Sequence, residues 1–144
     1  MSGIIDMSRI IDSLKAEEGY MATCYFCTAG AHTVGYGRNI SEGGLGISEE
    51  EAAYLLRNDV IRTIDEVRRN YPWFDDLSKA AKEVLVELCF QLGAPRLAKF
   101  KKMLARLQAH DYDAAAAELL DSKFARRQVP ARANRLATRL RGAV

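Results

Sequence analysis

The chain has 144 residues, 49% of them hydrophobic and 28% charged, which suits one compact domain or two small lobes sharing a helix and excludes disordered, collagen-like and disulfide-built classes. Its formal net charge of +2 hides a division: residues 1–78 carry 7 Lys/Arg against 13 Asp/Glu and residues 79–144 carry 14 against 6, so the halves stand at −6 and +8. A basic half of that size leaves three classes of anionic partner open: nucleic acid, a membrane surface and an acidic polysaccharide.

The first segment places Ile4, Ile5, Met7, Ile10, Ile11 and Leu14 at largely helical spacing among polar residues, which predicts a short amphipathic helix ending near Gly19. It lacks the basic and apolar regions of a signal peptide, and no apolar run in the chain is long enough to span a membrane. Residues 20–37 change to aromatic, Thr, Val and Cys residues with glycines at 30, 35 and 37, the pattern of a hairpin or small sheet turning at Gly30. A glycine-rich loop follows over 41–47, and Ser48 with Glu51 reads as a capping box opening a long helix from about 48 to about 70. Its stripe is Leu55, Leu56, Val60, Ile64 and Val67, and at 1.5 Å per residue it runs roughly 35 Å, long enough to bridge two lobes. Pro72 breaks it. Helical patterns return at about 78–92, 96–107, 111–120 and 130–141, the last opened by Pro130.

Chemistry concentrates where the first helix meets the hairpin. Glu18 stands at a helix C-terminus, where the negative end of the helix dipole and partial burial favour a protonated carboxyl, as a proton donor requires. Glu17, one residue earlier, reads as a solvated helix residue. From Glu18 the chain runs eight residues to Cys27 and five more to Thr33, and continues as Thr33-Val34-Gly35-Tyr36-Gly37. Further on come Phe90-Gln91-Leu92-Gly93 and Gln128-Val129-Pro130-Ala131-Arg132.

In these three separated stretches the chain resembles the phage-type lysozymes, glycoside hydrolase family 24, whose motif is a catalytic Glu, eight residues, an Asp or Cys, five residues and a Thr. The resemblance implies an α+β, mainly helical, two-lobed fold. A small N-terminal sheet lobe would occupy about 15–47, a connecting helix about 48–70, and a helical C-terminal lobe about 71–144 with helix 3–14 partly packed on it. It also implies cleavage of the β-1,4 bond between N-acetylmuramic acid and N-acetylglucosamine, with peptidoglycan bound between the lobes. Glu18 would protonate the leaving oxygen, Phe90 and Gln91 would line the cleft, and Arg132 would pair with Glu18 across it.

Glycosidases normally supply a second carboxylate, and Cys27 stands where most relatives carry Asp. A thiol with an ordinary pKa near 8.5 is mostly neutral at pH 7; His32 and Arg38 are the basic residues nearest in sequence that could ionise it. The reading adopted is that Cys27 and the Thr33 hydroxyl position a water for inversion.

Other readings carry less of the sequence. Cys24-x-x-Cys27 lacks the second CxxC or the His pair of a zinc site and the βαβ context of a redox motif, so no metal and no cofactor is expected. Cys24 is expected to pack in the sheet, and Cys89, beside Leu88 and Phe90, to be a buried thiol. A cysteine peptidase using Cys27 with His32 or His110 would place its Cys at a helix start, whereas Cys27 falls in the hairpin and the His32 ring faces away from Thr33. The basic stretch from Lys123 to Arg141 lacks the aromatic interleaving of single-strand binders and a helix-turn-helix signature, so nucleic acid is not an expected partner. It suits an electrostatic hold on the wall or peripheral contact with an anionic membrane.

The expected agent is a monomeric endolysin, held in the host cytoplasm until a holin or a membrane lesion lets it reach the periplasm and its wall, or alternatively a virion-associated lysozyme used during genome entry. An inert peptidoglycan-binding module and a basic helical nucleic-acid-binding protein are the alternatives.

Overall fold

The computed structural model describes residues 5–26, 30–128 and 130–143, with side chains throughout except at 127 and 128. It divides into two compact units, Met1–Ala53 and Tyr54–Val144.

The first unit opens with α1, Met7–Glu18, whose N-terminus is capped by Asp6: a carboxylate oxygen accepts the Arg9 N–H at 3.1 Å. Gly19 ends the helix with φ 69°, a conformation that favours glycine, while its N–H reaches the Lys15 carbonyl. The apolar stripe expected of this helix is present, but none of its residues is buried. Three antiparallel strands follow in the order β1 (Met21–Phe26), β2 (His32–Gly35) and β3 (Arg38–Asn39). Tyr25 pairs with Thr33 and Phe26 with His32, whereas the register slips between Met21 and Tyr25. Thr33 and Val34 pair in turn with Asn39 and Arg38. The third strand extends the anticipated hairpin, and Gly30, with φ 80°, lies in its turn.

The boundary between the units falls within α2, Glu49–Asn70. The capping box that opens this helix is reciprocal: Glu51 N–H donates to Ser48 Oγ at 3.0 Å, and Ser48 N–H donates to Glu51 Oε1 at 2.9 Å. Val67 is buried, and Val60 and Ile64 pack against the core, but Leu55 and Leu56, expected on the same stripe, are exposed.

The second unit holds the hydrophobic core. A 3-10 turn, Phe74–Asp76, leads into α3, Lys79–Leu92. Ser78 caps α3 by accepting the Ala81 N–H, and its own N–H donates to the Tyr112 hydroxyl at 3.0 Å. Seven of the fourteen α3 residues are buried, which makes this helix the axis of the core. Around it lie α4 (Ala94–Leu97), α5 (Lys101–Gln108), α6 (Tyr112–Leu120), a π-helical turn (Phe124–Gln128) and α7 (Pro130–Arg141). Ala115, Ala116 and Leu119 of α6 and Ala133, Leu136, Ala137 and Leu140 of α7 are buried. Their small side chains allow close approach of helix backbones, and each fully buried leucine contributes about 1.5–3 kcal/mol.

The helix anticipated at 96–107 is two helices. Phe100 leaves helical geometry at φ −81° and ψ 53°, and its ring meets Phe124 edge-on at 6.5 Å. Packing of that ring outweighs the local helical pattern.

Candidate active site

Glu18 is the last residue of α1 and is exposed, not semi-buried as the sequence suggested. The short turn through Gly19 leads directly into the sheet, so the end of the helix and the β2–β3 turn come together. Gly37 supplies the close approach: a Cβ at that position would stand 2.8 Å from Glu18 Oε2 and 3.1 Å from its Cδ. With φ 82°, Gly37 also has a backbone conformation that other residues adopt at a cost. It belongs to the Thr33–Gly37 stretch singled out in the sequence, but its part as the surface on which the carboxylate rests emerges only in three dimensions.

Thr33 is the one buried residue among those described in this unit. Its hydroxyl donates to the Ala31 carbonyl at 3.0 Å, which commits the proton and leaves the oxygen lone pairs as acceptors. Such an oxygen can accept a hydrogen bond from a water and so orient it. Cys27 lies outside the described residues.

Both basic residues near Cys27 in sequence have partners among the described residues. Arg38 grips Glu51 with two parallel bonds, Nη1 to Oε1 at 3.1 Å and Nη2 to Oε2 at 2.8 Å, and also donates to the Gly46 carbonyl at 2.9 Å. The Arg38 guanidinium and the bonds from Ser48 push the Glu51 carboxyl down to about 2. His32 presents Nδ1 to Cys24 Sγ at 3.4 Å, and Cys24 is exposed, where the sequence suggested a thiol packed within the sheet. Edge position on a thin, largely exposed sheet explains the difference, since two neighbouring strands do not bury both faces.

In the second unit, Phe90 and Gln91 lie in the last turn of α3 and are exposed, although the flanking Cys89 and Leu92 are buried. An exposed phenylalanine at the end of the most buried helix is available to a ligand, where the residue type alone suggests core. Arg132 is exposed in the first turn of α7. Cys89 is a buried thiol as expected; burial and the neighbouring Glu66, whose Oε1 is 3.8 Å from the sulfur, push it up to about 11. Among the described residues no group of three or more His, Cys, Asp or Glu side chains is placed to hold a metal ion.

Residues 15–139 match the phage lysozyme family. The chain belongs to that family. The matched segment covers Glu18, Thr33, Phe90, Gln91 and Arg132 and reaches into both structural units. A protein of Dictyostelium discoideum called "Probable T4-type lysozyme 2" is 29% identical to it, with 90% of this chain and 92% of that protein covered. Membership in the phage lysozyme family, together with the helix-and-small-sheet architecture, suggests a muramidase among the glycosidases.

Proposed function

We propose that this phage lysozyme family member hydrolyses the β-1,4 bond between N-acetylmuramic acid and N-acetylglucosamine in peptidoglycan. The observation that carries the reading is the Glu18 carboxyl, held at the end of α1 against the bare backbone of Gly37. Glu18 donates its proton to the leaving glycosidic oxygen. The Thr33 hydroxyl oxygen accepts a hydrogen bond from the attacking water and Cys27 completes the water's pocket, so that attack occurs from the face opposite the leaving group and inverts the anomeric centre, while the water's proton passes to solvent as the new C–O bond forms. Exposure of Phe90 and Gln91 supports their contact with the glycan. The biological setting is bacterial lysis by a phage, with the protein reaching the wall through a holin lesion or as a virion component.

Reducing-end release from purified peptidoglycan tests the reading. The native chain releases ends, and Glu18→Gln loses at least about a hundredfold, the scale of a general acid. Cys27→Ala is impaired and Cys27→Asp retains activity; full activity in Cys27→Ala would remove Cys27 from the mechanism. Binding without release by the native chain would support an inert wall-binding module. Rapid NMR of the first-formed product shows the α anomer for inversion, whereas the β anomer would require a covalent intermediate.

A further inference from the structure

Cys24, which the glycosidase reading leaves unused, acquires a partner in the folded sheet. Cys24 on β1 is exposed, and its Sγ is 3.4 Å from Nδ1 of His32 on β2. The main chain that carries the imidazole is tied on both sides: the His32 backbone N–H donates to Ser41 Oγ at 2.6 Å, and the His32 carbonyl accepts the Ile40 N–H at 2.8 Å. The Phe26 ring packs on the imidazole with centroids 4.3 Å apart. A nucleophile, a base within reach of its proton and a scaffold that fixes the base form the arrangement that activates thiols.

We propose that Cys24 and His32 form a thiol-modification site that takes small disulfides. The Cys24 sulfur attacks one sulfur of the reagent, RSSR, as its proton passes to His32 Nδ1. The reagent's S–S bond breaks and a Cys24–SR bond forms. The departing thiolate takes the proton from the imidazole and leaves as RSH, so Cys24 is oxidised to the disulfide level while one RS group is reduced. His32 reacts as the tautomer with its proton on Nε2, and returns to it. The mark is reversible by any excess thiol. It is also independent of the glycosidase mechanism, in which neither residue takes part.

The test treats the reduced full-length chain with bis(2-hydroxyethyl) disulfide at neutral pH and follows the adducts by mass spectrometry. Chymotryptic cleavage after Tyr25 and Phe26 separates Cys24 from Cys27. Native Cys24 is expected to react at least about tenfold faster than the same residue in urea-unfolded chain, and at least about tenfold faster than Cys24 in folded His32→Gln. The buried Cys89 thiol serves as the unreactive internal control. A native rate no higher than the unfolded rate would overturn the proposal. So would an unchanged rate in His32→Gln with the Thr33 amide still protected from hydrogen exchange; if that variant loosens the sheet, the native-against-unfolded comparison decides alone.

Discussion

Gly37 is where one missing side chain matters most to the candidate site. Replacing it with alanine puts a methyl 2.8 Å from Glu18 Oε2, the far end of a flexible side chain that can swing aside. The steric clash therefore costs little stability, and the left-handed backbone at φ 82° accounts for about 1–2 kcal/mol. Displacing the carboxylate is another matter, because a misplacement of about 1 Å in a reacting group can cost a hundredfold. Gly37→Ala is expected to fold, to lower the unfolding midpoint slightly and to lose kcat strongly on peptidoglycan. Loss of stability with undiminished kcat would separate Gly37 from the acid.

Glu51 ties two elements with one carboxylate. Its Oε1 accepts from both the Ser48 N–H of the capping box and Arg38 Nη1, and its Oε2 accepts from Arg38 Nη2, so the start of α2 and strand β3 share an anchor. The folded carboxyl titrates at about 2 against an ordinary 4.5. Because the folded value is depressed, the stabilisation is fully present above about 4.5 and is lost as pH falls through about 2. Urea midpoints of the native chain and Glu51→Gln should differ at pH 6 and converge toward pH 2; a constant gap would mean that charge is not the link. The reciprocal serine is tested separately. Ser48→Ala is expected to cost about 1 kcal/mol in unfolding free energy and to raise amide exchange at Glu51.

At this scale of elements, the sequence was readable where structure is local. Ser48 and Glu51 mark the start of the long helix because the capping box is made within four residues, and Gly19 marks the end of α1 because only the backbone there decides it. Phe100 could not be read that way. Leu97, Leu104 and Leu107 keep a helical rhythm through it, and only the distant Phe124 ring shows why the backbone departs. For the site, Glu18 and Thr33 could be picked out from spacing and resemblance. The support of Gly37 and the Cys24–His32 pair depend on strand register, which the slip between Met21 and Tyr25 makes unreadable from alternation.

Across the whole molecule, the charge division survives folding as usable surface. The ion pairs of Arg38 with Glu51, Arg62 with Asp59 and Arg68 with Asp75 lie within the acidic half, and those of Arg126 with Asp121 and Arg139 with Glu83 and Glu87 within the basic one. These pairs therefore leave the difference between −6 and +8 intact. In the basic half, Lys99, Lys101, Lys102, Arg106, Lys123, Arg132, Arg135 and Arg141 are exposed, while α7 turns Leu136 and Leu140 into the core. Cations presented this way attract an anionic polymer over the Debye length, about 30 Å at 0.01 M salt and about 3 Å at 1 M. Wall lysis should accordingly slow several-fold as salt rises through that range. Arg135→Glu with Arg141→Glu should flatten the dependence while leaving the core packing of α7 in place. Since the two substitutions touch no proposed catalytic group, cleavage of short uncharged glycan fragments should change little. A steep salt response that persists in the double variant would assign the attraction to other cations, and salt-independent lysis by the native chain would remove electrostatic capture of the wall altogether.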